Sequence, residues 1–215
     1  MTLKVNEIFY SIQGESSYAG MPCVFIRLTG CNLRCTYCDT RYAYDDGEEY
    51  SINKIVEKIA SYKCNLTEVT GGEPLIQEET PRLVEQLLNV GYRVLMETNG
   101  SQDINRVDAR CVRIVDIKCP SSGEEGSNDL NNLERLTNRD ELKFIISELK
   151  DYEYAKGILD IVEGKLKFKG PIHFSPSFGK LAPKELAGWI LNDRLNVRLN
   201  LQIHKYIWGP ELRAV

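Results

Sequence analysis

Residues 30–40 read GCNLRCTYCDT and place Cys31, Cys35 and Cys38 within one short stretch. Thiolates this close together suit a metal, but there are three of them, and a closed tetrahedral zinc site needs four ligands. A C-x3-C-x2-C spacing lets three thiolates take three corners of an iron–sulfur cube and leaves the fourth iron without a protein ligand, open to a substrate. Two other readings compete with it. Zinc could be completed by His173 or His204, the two histidines of the chain. An electron-transfer ferredoxin would supply a fourth cysteine nearby, and none is present.

The rest of the chain bounds what such a site can serve. Its 215 residues suffice for one domain with a full core, so residues 1–215 are read as a single domain. Hydrophobic residues make up 42% and charged residues 27%, ordinary globular values, and no apolar run approaches the roughly 20 residues that cross a bilayer. No membrane partner is expected. The start, MTLKVNEIFYS, lacks a basic segment followed by an apolar one, which points to a cytoplasmic protein with reduced thiols. The seven cysteines (Cys23, Cys31, Cys35, Cys38, Cys64, Cys111 and Cys119) cluster only once, which argues against a disulfide framework. The scattered four read as small buried apolar residues. A net charge of −4 without any basic block argues against nucleic acid and for a small-molecule substrate.

Outward from the thiols, apolar runs alternate with helical patterns, the mark of an α/β chain built around a parallel sheet. The strand-like runs are 24–28, 66–70, 92–98, 112–118, 141–147, 171–175 and 197–202. Ser51 is expected to cap a helix carrying Ile52, Ile55, Val56 and Ile59 on one face. Thr80 is expected to cap a second, with Pro81 in its first turn and Gly91 at its end. Helices are also expected over 150–163 and after Ala182-Pro183. The Gly-, Ser- and Asn-rich stretch 120–132 reads as a loop with freedom to move. The units are too few for an eight-fold barrel, so the expected fold is an incomplete, open (β/α) barrel with its chemistry at the C-terminal strand ends.

A second motif lies at one such end. Thr70-Gly71-Gly72-Glu73-Pro74 follows a strand, and glycines there let backbone approach a ligand with no Cβ in the way. With the thiol loop and the aromatic Tyr37 ahead of its last cysteine, this resembles the radical S-adenosylmethionine superfamily. The segments EIFYSIQGE (7–15), VFIRLTGCNLRCTYCDT (24–40), VTGGEPL (69–75), ETNG (97–100) and VRLNLQIHKY (197–206) are similar, nearly end to end, to the 7-carboxy-7-deazaguanine synthase family within it. Glycyl-radical activases share the thiol loop but act on a partner protein, and usually lack SIQGE and QIHKY.

The resemblance implies an open barrel of the radical S-adenosylmethionine type. It also implies a lyase that contracts the ring of 6-carboxy-5,6,7,8-tetrahydropterin to 7-carboxy-7-deazaguanine and releases ammonia, in queuosine-type deazapurine biosynthesis. Implied with it are a 4Fe-4S cluster, S-adenosylmethionine, Mg²⁺, an electron donor such as flavodoxin or ferredoxin, and a homodimer. The cofactor would carry the hard chemistry and the protein the orientation. Carried over residue by residue, Cys31, Cys35 and Cys38 hold the cluster. Tyr37, Cys38, Asp39 and Gly72, more loosely Asp116, Ile117 and Lys118 (where the family often reads Ser-Pro-Lys), and Ser175 meet S-adenosylmethionine. Ile12, Gln13, Gly14, Glu15, Arg27, Thr70 and His204 meet substrate, and Thr40 meets Mg²⁺.

The residue types fit these roles. Glu15 suits an amino-pyrimidinone edge, and Arg27 offers a planar fork to a carboxylate that lysine would match less well. One hydroxyl cannot hold Mg²⁺ alone, so at Thr40 the substrate carboxylate would have to complete the ion's oxygen shell. No catalytic side chain beyond the cluster ligands is implied. Some relatives end near Pro210, so for Glu211 to Val215 a dimer contact is expected instead of a terminal-carboxylate role.

Overall fold

The computed structural model describes residues 2–215 apart from the side chain of Lys165. Nine strands form one open sheet: β1 (Thr2–Ile12), β2 (Pro22–Leu28), β3 (Glu48–Ser51), β4 (Leu66–Gly71), β5 (Arg93–Thr98), β6 (Val112–Ile117), β7 (Glu141–Ile146), β8 (Ile172–Pro176) and β9 (Arg198–Leu199). Their order is β3-β1-β2-β4-β5-β6-β7-β8-β9. From β2 to β9 every pairing is parallel, while β1 runs antiparallel to both β2 and β3. This is the expected open barrel, with an antiparallel edge added.

Strands β1 and β3 are additions to the sequence reading. In β1 a bulge between Val5 and Glu7 breaks the period-two alternation that marks a strand, so the segment carries a weakened signal. The run 197–202 pairs only over Arg198–Leu199; the Asn200 amide makes one further bond to the Phe174 carbonyl at 2.9 Å, and its side chain donates to Ser175 Oγ at 3.0 Å.

The helices follow the sequence closely. Ser51 Oγ accepts the Lys54 amide and caps α1 (Ile52–Ala60), whose Ile52, Ile55 and Ile59 are buried. Helix α2 (Thr80–Asn89) differs in detail: Thr80 lies inside its first turn, where its hydroxyl donates to the Pro74 carbonyl at 2.6 Å and leaves the cap role unfilled. Gly91 does turn the chain after it, at φ +98°. Four-residue α3 (Asn132–Arg135), α4 (Leu149–Lys165), α5 (Pro183–Asp193) and α6 (Ile203–Trp208) complete the set.

The stretch 120–132, expected to be free, is fastened. It forms two short 3-10 turns, the Asn128 carboxamide clamps both the amide and the carbonyl of Lys118 at 2.9 Å, and the Ser122 carbonyl accepts the Thr36 amide at 3.0 Å. This region therefore supports the thiol loop from below.

Alternation along the parallel strands separates two faces. Val24, Ile26, Leu28, Val69, Val94, Met96, Val115, Ile117, Leu142 and Phe144 pack against the helices in the main core. The inner face carries a smaller apolar layer of Cys23, Phe25, Leu66, Leu95, Val112 and Ile114. Above that layer, toward the C-terminal strand ends, the inner face becomes polar.

Candidate functional site

The polar ends of the strands open into a cavity of about 580 Å³. The thiol loop forms one wall: Cys31, Cys35, Tyr37, Cys38, Asp39 and Thr40 all line it. This loop is held at both ends by residues outside it. Thr36 Oγ1 donates to the Ser121 carbonyl at 2.7 Å, Arg41 Nη2 donates to the Thr36 carbonyl at 2.9 Å, and Lys205 Nζ from α6 sits 2.5 Å from Asp39 Oδ2.

The Gly-Gly-Glu segment does more than face a ligand. A Cβ on Gly72 would stand 2.2 Å from the Gly30 carbonyl oxygen and 2.5 Å from Cys31 Cβ, so the absent side chain is what lets the first cysteine pack here. Glu73 is fully buried and its carboxylate is spent on the scaffold. It accepts from the Leu75 amide at 3.0 Å, Thr98 Oγ1 at 2.8 Å and the Asn99 amide at 2.6 Å. Asn99 Nδ2 in turn donates to Asn32 Oδ1 at 3.1 Å. The Gly-Gly-Glu and Glu-Thr-Asn-Gly motifs thus brace each other and the thiol loop.

The ends of β1 and β2, the loop after β1, and α6 also line the cavity. Gln13 is buried, donates through Nε2 to Glu68 Oε2 and accepts the Glu15 amide at 3.0 Å. Glu15 accepts from Gln202 Nε2 at 2.9 Å and lies 2.6 Å from Lys143 Nζ. At Gly14 a Cβ would fall 1.9 Å from His204 Nδ1, so glycine allows the imidazole to lie over this backbone. The cross-strand pair Glu7 and Arg27 forms an ion pair of 2.7 Å through Arg27 Nε. Tyr42 also donates to Glu7 Oε1, at 2.9 Å. Arg27 therefore keeps its two Nη groups for another acceptor.

The sequence reading is met unevenly. Ile12, Gln13, Gly14, Glu15, Arg27, Thr70, Gly72, Asp116, Lys118 and His204 share this cavity with the thiol loop. Asp116 and Lys118 pair across 2.7 Å. Ile117 points the other way, into the main core, as strand alternation between Asp116 and Lys118 requires. Ser175 is fully buried and engaged with Asn200, outside the cavity wall. His173 is bound to Glu141 at 2.8 Å and also stands apart from the wall. Among the described residues no three His, Cys, Asp or Glu side chains gather around a single-ion position, the three thiols included; His173 is taken up by Glu141, and His204 lies over Gly14.

Three further residues belong to the site and were missed. Lys143 Nζ bridges Glu15 and Glu97, at 2.6 and 2.5 Å, and Glu68 lies beside them. A signal existed: each is a charge inside an apolar strand of a sheet covered on both sides, where a charge is rarely buried without a task.

Burial, reinforced by the Glu97 charge, pushes the Glu68 carboxyl up to about 8 from an ordinary 4.5. A raised carboxyl favours the fold fully below its unfolded value and loses that contribution as pH rises through the folded one. The Glu68→Gln variant is therefore expected to gain stability relative to wild type between about pH 4.5 and about pH 8. Unfolding midpoints of both proteins across that range test this, and a difference that does not change with pH would refute it.

Comparison with known proteins agrees with the geometry. Residues 25–115 match the Radical SAM superfamily. Over 99% of its length the chain is 45% identical to the 7-carboxy-7-deazaguanine synthase of Koribacter versatilis, all of which is covered. It is also 45% identical, over 99% of its length and 97% of the relative, to the enzyme of that name from Chlorobaculum tepidum. Among solved structures it is similar to QueE from Escherichia coli, with a TM-score of 0.76, 25% identity and 94% of each chain covered. A relationship this close over the full length of both chains places the protein in the 7-carboxy-7-deazaguanine synthase family of the radical S-adenosylmethionine superfamily.

Proposed function

We propose that the protein is a 7-carboxy-7-deazaguanine synthase acting on 6-carboxy-5,6,7,8-tetrahydropterin. The observation that carries this is the meeting, in one cavity, of the three-thiol loop with a wall of Gln13, Glu15 and Arg27. A glycyl-radical activase would leave those three without a shared ligand.

The residues fit the absent groups. Three thiols line the cavity and, among the described residues, no fourth cysteine lines it with them, as a cluster with one open iron requires. That cluster, reduced, would supply the electron that makes a carbon radical from S-adenosylmethionine. The thiol-loop backbone at Tyr37 to Asp39 and the Gly72 edge would cradle S-adenosylmethionine, with the Asp116–Lys118 pair beside them. Thr40 Oγ1, which donates to Asp39 Oδ1 at 3.0 Å, would be the residue to hold Mg²⁺ at the same wall, with the substrate carboxylate completing its oxygen shell.

The chain's own groups would then orient the pterin. Gln13 and Glu15 present an amide and a carboxylate to its donor–acceptor edge, with Thr70 and His204 alongside. Lys143 holds Glu15 ionised, and Arg27 offers its Nη groups to the substrate carboxylate. The reading extends to ammonia release, a one-domain cytoplasmic homodimer and reduction by a flavodoxin or ferredoxin.

Anaerobic reconstitution with iron and sulfide, reduction, and assay with S-adenosylmethionine, Mg²⁺ and carboxytetrahydropterin tests the proposal. Absence of any deazaguanine product defeats it. In the same assay Arg27→Ala should keep its brown cluster and lose about 10- to 100-fold in kcat/KM, as expected for removing charge-assisted hydrogen bonds. Normal turnover by that variant would remove Arg27 from the substrate site.

A further inference from the structure

Glu211 to Val215, for which the sequence suggested a dimer contact, follow a definite course along the protein's own cavity. After α6, Gly209 turns the backbone at φ +91°, and residues 209–215 run along the cavity, each of them part of its lining. Ala214 adopts φ +55°, a left-handed conformation that a residue with a Cβ adopts at a cost. The segment therefore lies over the cavity as a shaped strap.

One side chain on that strap has a defined position. The Arg213 guanidinium stacks 4.0 Å from the centroid of the Tyr42 ring. Tyr42 is itself fixed by its bond to Glu7, and the Arg27 guanidinium stands 5.9 Å from the same ring. Stacking uses the π face of a guanidinium and leaves its in-plane N–H edge free to donate. Glu7 balances the charge of Arg27, whereas no carboxylate pairs with Arg213 among the described residues. Glu7, Arg27 and Arg213 together carry one net positive charge and set two donor edges beside one aromatic ring, with Asp39 acting on Arg27 from the same cavity.

We propose that Arg213 is a second guanidinium for the substrate's carboxylate, acting with Arg27, so that the strap 209–215 forms part of the substrate site. Arg27 can meet one edge of the carboxylate with its free Nη groups, and a second fork on Arg213 would add donors to the remaining lone pairs and a second positive charge. The inference rests on the proposed function for the identity of the carboxylate and on the structure for the pair of arginines.

Two measurements on the reconstituted protein separate these supports. The first is equilibrium binding of pterin-6-carboxylate and of pterin without the carboxylate, to wild type, Arg213→Ala and Arg213→Lys. Wild type should prefer the carboxylate, Arg213→Ala should lose about tenfold or more in affinity for it and little for pterin, and Arg213→Lys should recover part of the loss. The second is turnover, where Arg213→Ala should raise KM for carboxytetrahydropterin by a similar factor with kcat changed little. If wild type binds the carboxylate selectively through Arg213 but makes no deazaguanine, the proposed function falls and the two-arginine site stands. Unchanged carboxylate binding in Arg213→Ala, or an equal loss for both pterins, overturns the assignment of Arg213.

Discussion

Cys35→Ala should give a protein that folds, stays colourless after treatment with iron and sulfide, and makes no deazaguanine. The side chain is buried in the cavity wall, but its loop does not depend on the thiol for its shape. The Cys38 amide bonds the Cys35 carbonyl at 3.2 Å, and the Thr36 backbone and hydroxyl are fixed to Ser122 and Ser121. Substitution removes one cluster donor and leaves the backbone in place. The four other thiols are not placed to replace it: Cys23, Cys111 and Cys119 are buried among apolar residues in the two cores, where burial pushes all three far up, and Cys64 lies outside the cavity wall with its thiol on the Pro22 and Leu66 carbonyls. Iron content and visible absorption report the cluster, and cleavage of S-adenosylmethionine reports its chemistry. A variant that held about four irons per chain and turned over would show that Cys35 is not a ligand.

The largest effect on stability is expected far from the cavity, at Asp140. Arg113 on β6 is 2% exposed and meets Asp140 in a two-point pair, Nε to Oδ1 at 2.9 Å and Nη2 to Oδ2 at 2.6 Å. The remaining Arg113 donors reach the carbonyls of Ile104 and Arg135. Asp140 also accepts from the Arg113 and Thr137 amides and the Thr137 hydroxyl. Such a pair gains little over an apolar substitute when both partners are present, because both charges must be desolvated, yet removing one strands the other. Asp140→Ala should therefore cost about 3–5 kcal/mol, a large share of the roughly 5–15 kcal/mol that holds a domain together. Urea unfolding of wild type and variant measures it, and a loss below about 1 kcal/mol would mean that water or a rearranged loop rescues Arg113.

How far the sequence disclosed this architecture varies with the physics of each part. The parallel strands were legible because they are short apolar runs between helical patterns, and the cluster loop because three cysteines at that spacing have few other uses. Strand β1 was not legible, since its bulge disturbs the alternation that would have marked it. Thr80 was misplaced because Thr-Pro suits both a cap and a first turn, and only the nearby Pro74 carbonyl decides between them. In the site, Gln13, Glu15 and Arg27 were named from resemblance and chemistry, and the fold brings them to one wall. Lys143, Glu68 and Glu97 went unnamed because their meeting is a matter of register between β4, β5, β6 and β7, which a linear sequence does not display. Ile117 and Ser175 were named from the resemblance alone; Ile117 turns into the main core between Asp116 and Lys118, and Ser175 on the inner face is taken up by Asn200.

The packing of Gly72 against Gly30 and Cys31 has a consequence for damage and repair. Oxygen strips iron from exposed clusters, and a loop shaped only by its metal would then collapse. Here the Glu73 amide bonds the Gly30 carbonyl at 2.8 Å, and the Glu73 carboxylate ties the same corner to the end of β5. The protein alone sets the curvature of the chain at the first thiol. A cluster held by these thiols and lost to oxygen would leave this corner braced by protein contacts, so reloading with iron and sulfide should need no refolding here.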